Sequence, residues 1–457
     1  MKEMQASTDT KIIVIDDDPT GSQTVHSCLL LTRWDPDTLA EALKDSSPLF
    51  FILSNTRGMG AAEAAAVTRD ICINLKVALQ RVETDGTRVQ PVIVSRSDST
   101  LRGHYPVETD VMAEELGPFD AHFLVPAFFE GGRITRDGMH YLLVDGRPVP
   151  VHETEFARDS VFGFSTGFLP DYVEEKTAGR IPSNQVERFG LAEVRGDIGT
   201  RLRSLRGNTC CVVDAERQSD LDGFARQVLA AAAGGKRFLF RSAASLLTAF
   251  AALPMQPVAA VEMSRLVRDG RPGVVLVGSH VEKSTRQLRR LIETTSVLPV
   301  HIDLDWMVRD EEGLFAELVQ QMVEAERSGR NIVLYTSRGE REFDSKAERL
   351  AFGDRVSGFL VRLVRNMPRE IGFLISKGGI TSNDTLSKGL ALRTSRVVGQ
   401  IRAGCSVVLC PDDHPRFPNL PVVIFPGNVG GDDALAEVYG TLTRKAVERP
   451  AGRTAVA

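Results

Sequence analysis

At 457 residues the chain exceeds an ordinary single domain, and two domains are expected. Hydrophobic residues make up 42% and charged residues 25%, which excludes a disordered or fibrous chain and allows a sizeable core. Lys+Arg 55 against Asp+Glu 60 leaves a net charge of -5, so there is no basic footprint for nucleic acid, and no apolar run reaches the roughly 18 residues of a membrane span.

Short apolar or β-branched runs alternate with longer helical patterns, the signature of an α/β protein with mostly parallel sheets. In chain order, strands are expected at residues 11–15, 49–53, 91–94, 122–125, 210–213 and 237–240, then at 273–277, 331–335, 371–375, 406–409 and 421–425. Helices are expected at 60–81, 221–233, 281–294, 314–327 and 345–364. Residues 131–207 show few clean strands and read as an insertion with short helices of its own. Punctuation by Pro254, Pro257, Gly270 and Pro272 marks a boundary and a hinge. The resulting domains are 1–255 and 271–449, with a frayed tail after Arg449. The first ten residues are polar, unlike a signal peptide. Six cysteines in no C-x-x-C spacing read as buried thiols in a reducing, cytoplasmic protein.

Ligands of open α/β sheets bind beyond the carboxyl ends of the strands, so the residues after each strand are the candidates. In the first half these are Asp16-Asp17-Asp18-Pro19-Thr20-Gly21, Ser54-Asn55-Thr56-Arg57-Gly58, Ser95-Arg96-Ser97-Asp98-Ser99-Thr100-Leu101-Arg102-Gly103 and Pro126-Ala127-Phe128. Carboxylates, hydroxyls and two arginines suit a small polyhydroxylated anion: arginine forks a carboxylate, while Asp and Asn take hydroxyls. Thus Arg57 and Arg102 are candidates for the substrate carboxylate, and Asp18, Asn55, Asp98 and Ser99 for its hydroxyls. Asp16 or Asp17 would orient or deprotonate the attacking hydroxyl.

The second half carries glycine and hydroxyl loops instead: Gly278-Ser279-His280, Thr336-Ser337-Arg338, Ser376-Lys377-Gly378-Gly379-Ile380-Thr381-Ser382 and Pro426-Gly427-Asn428-Val429-Gly430-Gly431. Such loops let backbone N–H groups approach phosphate oxygens. None matches the Walker or dinucleotide pattern. Together the halves read as a phosphotransferase with its site in the interdomain cleft.

Taken in order, Asp16 to Ser22, Ser97 to Gly103, Gly278-Ser279 with Thr285 and Gln287, Gly378 to Ser382, and Gly427 to Gly430 resemble the four-carbon acid sugar kinases. The resemblance runs over nearly the whole chain. It implies an N-terminal sugar-acid-binding domain, a C-terminal nucleotide-binding domain, and ATP-dependent phosphorylation of the terminal hydroxyl of threonate, erythronate or a 3-oxo-tetronate. It places Ser279, Gly378, Gly379, Ile380, Thr381, Gly427 and Gly430 on the nucleotide. ATP and Mg²⁺ are the implied cofactors, with Asp384 and Asp433 as candidate ion ligands. The partners are a small sugar acid and a nucleotide; nucleic acid and membrane are not expected, and a homo-oligomer stays open. Many members carry a Lys-Ser-Gly-Asn-Phe-Gly segment where this chain has Phe425-Pro426-Gly427-Asn428-Val429-Gly430, and Lys377 is the candidate replacement for the missing lysine. His280-Val281-Glu282-Lys283 also departs from the smaller residues of the family.

Two other readings stand beside this one. Asp16-x-Asp18-x-Thr20 with Gly431-Asp432-Asp433 fits an aspartate-nucleophile phosphatase, and the two lobes also fit a non-catalytic sugar-acid-binding protein. Asp16 to Asp18 could equally cap a turn, the arginines could be surface ion-pair partners, and the glycine loops could be plain caps. His26, His104 and His140 lack metal spacing. Phe50-Phe51 and Phe128-Phe129 read as core, and Arg133, Arg136 and His140 as part of a polar lid.

Overall fold

The computed structural model describes residues 9–18, 21–338, 343–427 and 429–444. Pro19, Thr20, Asn428, the first eight residues and the tail from 445 lie outside them. The chain forms two compact units, Met1–Gln256 with Ala391–Val397, and Pro257–Leu390 with Val398–Ala457. Both are α/β, each with a mostly parallel sheet flanked by helices.

In the first unit the strands are β1 (Asp9–Asp16), β2 (Leu29–Leu31), β3 (Leu49–Leu53), β4 (Val89–Arg96), β5 (Ala121–Val125), β6 (Arg133–Arg136), β7 (Met139–Val144), β8 (Arg147–Pro150), β9 (Glu187–Phe189), β10 (Thr209–Val213) and β11 (Phe238–Ser242). The main sheet runs β2-β3-β1-β4-β11-β5-β10-β9, all parallel. Its central strands are apolar runs rather than alternating patterns, because helices cover both faces. All five residues of β3, Leu-Phe-Phe-Ile-Leu, are buried. One face packs on the helix Ala61–Thr84 through Ile71, Leu75, Ala78 and Val82.

In the second unit the strands are β12 (Val274–Val277), β13 (Leu298–Ile302), β14 (Ile332–Thr336), β15 (Leu374–Lys377), β16 (Thr394–Arg402), β17 (Cys405–Leu409) and β18 (Pro421–Phe425). Their order is β13-β14-β12-β15-β18-β17-β16, parallel from β13 to β18 and antiparallel between β18 and β17. The start of β16 belongs to the first unit, where Thr394, Ser395 and Arg396 pair antiparallel with Leu31, Leu30 and Leu29.

Each sheet reverses its strand order at its first strand. β1 lies between β3 and β4, and β12 lies between β14 and β15. The loops of adjacent strands diverge at such a switch point and leave a crevice at the carboxyl edge.

Residues 131–207 are less irregular than their sequence reads. β6, β7 and β8 form an antiparallel three-stranded sheet, followed by the helix Leu169–Lys176 and short turns. The two hairpin turns are Asp137-Gly138 and Asp145-Gly146, all four residues at positive φ. Asp-Gly between extended segments is a strong hairpin signal, and it stands in the sequence. The six cysteines are free and buried. Among the described residues no helix is long and apolar enough to cross a membrane.

Candidate active site

At the carboxyl edge of the first sheet, the expected residues converge on a buried network of charges. Asp16, the last residue of β1, is fully buried. Its Oδ1 accepts from the Asp18 N–H at 3.2 Å and lies 3.4 Å from Nη1 of Arg96, while Oδ2 has no hydrogen-bond partner. Burial raises its pKa from 3.8 to about 7, against the pull of Arg96 and with a push from Asp17 and Asp18.

Asp17 is held differently. Arg57 forks it, with Nε at 3.1 Å from Oδ2 and Nη2 at 2.5 Å from Oδ1, and reaches Asp18 Oδ2 at 3.0 Å through Nη1. Burial raises the Asp17 pKa, with Arg57 opposing it. Asn55 stands at φ +55 beside this pair, and its N–H donates to the Asp16 carbonyl at 3.4 Å.

The loop after β4 carries a second pair. Arg102 Nε donates to Asp98 Oδ2 at 2.8 Å, and Thr100 donates to the same oxygen. Although burial pushes the other way, Arg57 and Arg102 hold the Asp98 carboxyl well below the usual range. Arg102 also lies 3.7 Å from Asp159 and 4.9 Å over the Phe156 ring. The 131–207 segment therefore clamps this loop. His140 Nε2 meets the Ser99 carbonyl at 2.8 Å, and the Tyr172 hydroxyl donates to the Leu101 carbonyl at 2.7 Å. His140 is buried and its pKa lowered to about 4, so it stays neutral and serves as a strut.

Three further charged residues complete the network: Arg96 from the head of the expected loop after β4, and Arg241 and Glu108, which carry no sequence motif. Arg96, at the end of β4, faces Asp16 and Asp17. Arg241 on β11 pairs with Glu108 at 3.1 Å, and Glu108 in turn accepts from Thr56 at 2.5 Å. Gly103, at φ +116, closes this cluster: a Cβ there would meet Arg241 Nη2 at 2.8 Å and Asp17 Oδ2 at 3.1 Å. Only the absence of a side chain lets the backbone pass between them.

The second sheet edge brings the glycine loops together. Ser279, after β12, accepts from Ser284 Oγ at 3.1 Å, and Ser284 also donates to the Gly427 carbonyl at 3.0 Å. Gln287 Nε2 donates to the carbonyls of Val429 and Gly431 at 2.9 and 2.8 Å. Gly378, at φ +119, lets the chain turn from β15 into the helix Gly379–Asp384. Ile380 stands 67% exposed at its tip, followed by Thr381, so an apolar side chain marks the mouth of this loop. Gly430 sits at φ +79.

Two cations here, Arg338 and Lys377, have no acidic partner among the described residues. Arg338 donates to the carbonyls of Ser279, Val277 and Thr336 at 2.6, 3.2 and 2.8 Å, and burial lowers its pKa to about 10. Lys377 is buried, donates to the Pro426 carbonyl at 3.1 Å, and lies 4.1 Å over Phe425, its register partner on β18. Burial lowers its pKa to about 7, with Lys283 and Arg338 adding to the effect.

The acidic candidates of this unit are engaged elsewhere. Asp432 and Asp433 pair with Arg286 and Arg290 at 3.0 and 2.9 Å, and Asp384 binds Lys388 at 2.9 Å and accepts from Ser357. Among the described residues no three His, Cys, Asp or Glu side chains are grouped to hold a metal ion.

The two α/β units therefore differ at their sheet edges: one carries paired charges, the other glycine loops with Arg338 and Lys377 resting on carbonyl oxygens. The description of a sugar-binding N-terminal domain matches residues 12–250, and that of a nucleotide-binding C-terminal domain matches residues 274–435. The chain belongs to the four-carbon acid sugar kinase family. It is 28% identical over 222 residues to a D-erythronate kinase of Heliobacterium modesticaldum, covering 47% of this chain and 47% of that protein. It is 27% identical over 192 residues to a D-threonate kinase of Bordetella bronchiseptica, covering 39% and 44%. These matches thus span under half the length of each relative. A Haemophilus influenzae protein of known structure shares the fold, with a TM-score of 0.62 at 17% identity over 94% of this chain and all of that one.

Proposed function

We propose that this chain is an ATP-dependent kinase that phosphorylates the terminal hydroxyl of a four-carbon sugar acid: threonate, erythronate or a 3-oxo-tetronate. The observation that carries the reading is Asp16, a buried carboxylate with one oxygen unpartnered and a pKa near 7. A base poised at working pH suits removal of an alcohol proton. Asp17 is the weaker candidate, since Arg57 holds both its oxygens.

In this reading the acid binds the first unit, with Asp18, Asn55, Asp98 and Ser99 as hydroxyl ligands. The hydroxyl oxygen attacks the γ-phosphorus, its proton passes to Asp16 Oδ2, and the bond to the β-phosphate oxygen breaks to release ADP. The nucleotide binds the second unit, its phosphates meeting backbone N–H groups around Ser279, Gly378 to Thr381, and Gly427 to Gly430. Support comes from the half-buried Arg338 and the buried Lys377, which have no acid partner among the described residues and which an incoming polyanion would neutralise. Arg338, braced on the Ser279 carbonyl, is the better placed of the two, and Lys377, pointed at the Pro426 carbonyl, acts as a pin for the β18 loop. Asp384 and Asp433, paired with basic side chains, do not fit a resident metal. Mg²⁺ enters as part of the nucleotide, held by phosphate oxygens and water.

The test is ADP release from ATP, Mg²⁺ and a tetronate panel. Turnover of one or more tetronates is expected. Release of inorganic phosphate from sugar phosphates without ATP would replace the reading with a phosphatase, and acid binding without either reaction would replace it with a binding protein.

A further inference from the structure

Four arginines at the carboxyl edge of the first sheet each hold a carboxylate: Arg57, Arg96, Arg102 and Arg241. Arg133 is different. Its guanidinium donates from Nη1 to the Gly131 carbonyl, its Nε is buried without a partner, and it forms no ion pair among the described residues. It lies 5.9 Å over the ring of Phe128, three residues past the end of β5. Phe128 and Arg133 exchange backbone hydrogen bonds at 3.0 and 2.8 Å, so the loop is closed and its arginine positioned. Burial lowers the Arg133 pKa, with Asp98 and Glu155 opposing and Arg102 adding to the fall.

A partly buried guanidinium that no carboxylate contacts directly among the described residues is stabilised when an anion arrives. A planar fork with open donors fits a carboxylate. Gly131 lets the guanidinium pack in this position, since a Cβ there would come within 2.2 Å of Arg133 Nη1 and 2.5 Å of the Phe128 ring.

We infer that Arg133 receives the carboxylate of the acid substrate, with Arg102 as its neighbour, while Arg57 serves to position Asp17 and Asp18. The inference deepens the kinase reading and rests on it for the identity of the acid. Arg133 is thus the residue that sets selection for an acid over a neutral polyol.

The experiment combines calorimetric binding of the tetronate panel with steady-state kinetics on the tetronates and the corresponding uncharged tetritols. Arg133→Ala should weaken acid binding and raise KM for the acid by about ten- to a hundredfold, the range of a charge-assisted hydrogen bond. kcat should change little, and preference for acid over tetritol should fall by the same factor. Arg133→Lys should recover only part of the loss, and Gly131→Ala, which keeps the charge and displaces it, should resemble Arg133→Ala. These last two variants carry the test if Arg133→Ala fails to fold. Unchanged acid affinity in all folded variants, with wild-type kinase turnover intact, overturns the inference alone. A wild type that binds acid but does not phosphorylate it, and loses binding with Arg133, keeps the inference and removes the kinase reading. A wild type that binds no tetronate removes both.

Discussion

The two sheet edges occupy the same topological position and solve opposite problems. At the first, Asp16, Asp17, Asp18, Asp98 and Glu108 are interleaved with Arg57, Arg96, Arg102 and Arg241, so almost every charge has a mate. At the second, Arg338 and Lys377 rest on carbonyl oxygens. The hydroxylated body of a sugar acid, the ligand proposed for the first edge, needs many oriented donors and acceptors, and a preassembled ion network supplies them rigidly. A triphosphate brings its own charge, so cations left waiting and backbone N–H groups suffice. Apart from Arg133, the first edge is balanced as it stands; the second, on the proposed reading, is balanced by its nucleotide.

The largest effect should follow from removing the one open carboxylate oxygen of the balanced edge. Asp16→Asn is expected to lower kcat by about 10²- to 10⁴-fold while KM for the acid stays within a few-fold. Wild-type kcat/KM should rise with pH through about 7, and that limb should vanish in the variant. Because the folded pKa is raised, the contribution of Asp16 to stability is complete below 3.8 and lost as pH rises to about 7. Asp16→Asn should therefore gain on the wild type in urea denaturation at pH 8 relative to pH 5. Retained turnover in Asp16→Asn would move the base elsewhere.

Next in size is a paired comparison of arginines. Arg57→Ala strands the carboxylates of Asp17 and Asp18 and should cost about 3 kcal/mol of unfolding free energy. Arg338→Ala strands no acid among the described residues, so it should cost clearly less stability yet weaken ATP binding. Equal stability losses in the two variants would erase the contrast between the edges. A smaller effect is expected at Gly378, whose φ of +119 is strained for any L side chain. Gly378→Ala should weaken ATP binding by about tenfold, from roughly 1–3 kcal/mol of backbone strain, and leave acid binding untouched. Calorimetry with each ligand separately decides it.

The smallest effect concerns Lys377. Its folded pKa is depressed to about 7, so its contribution to stability is full above 10.5 and is lost as pH falls through 7. Lys377→Met should flatten the rise of stability between pH 7 and 10.5. An identical slope in both proteins would show that the ammonium is already well solvated.

What could be read from the sequence follows from what makes each element local. Strands covered on both faces, such as β3 and β12, are continuous apolar runs and visible as such. β13 was not, because its residues alternate between buried and exposed and include Pro299 and His301. β16 and the short β2 owe their strand state to partners far along the chain. The same holds at the site. Loop residues after each strand stand out by composition, so Asp16 to Asp18, Arg57 and Asp98 to Arg102 were legible as a group. Arg96 heads that last loop and was legible with it, whereas Arg241 and Glu108 were not, since an ion pair between residues 133 apart leaves no spacing to recognise. The positions Pro19, Thr20 and Asn428 contribute to the motifs without entering this structural comparison.

The double membership of β16 has a consequence for anyone cutting the molecule. Residues 394–396 complete the first unit's sheet although they lie more than a hundred residues past its main segment. A fragment ending near Gln256 would leave Leu29–Leu31 as an open edge of consecutive apolar residues, the kind of edge that recruits other chains into aggregates. The complementary fragment would carry the matching strand with nothing to receive it. Separate expression of the halves therefore calls for grafting residues 391–397 back onto the first, by circular permutation or an added peptide, and the solubility rescue that such a graft gives would measure how much one borrowed strand contributes.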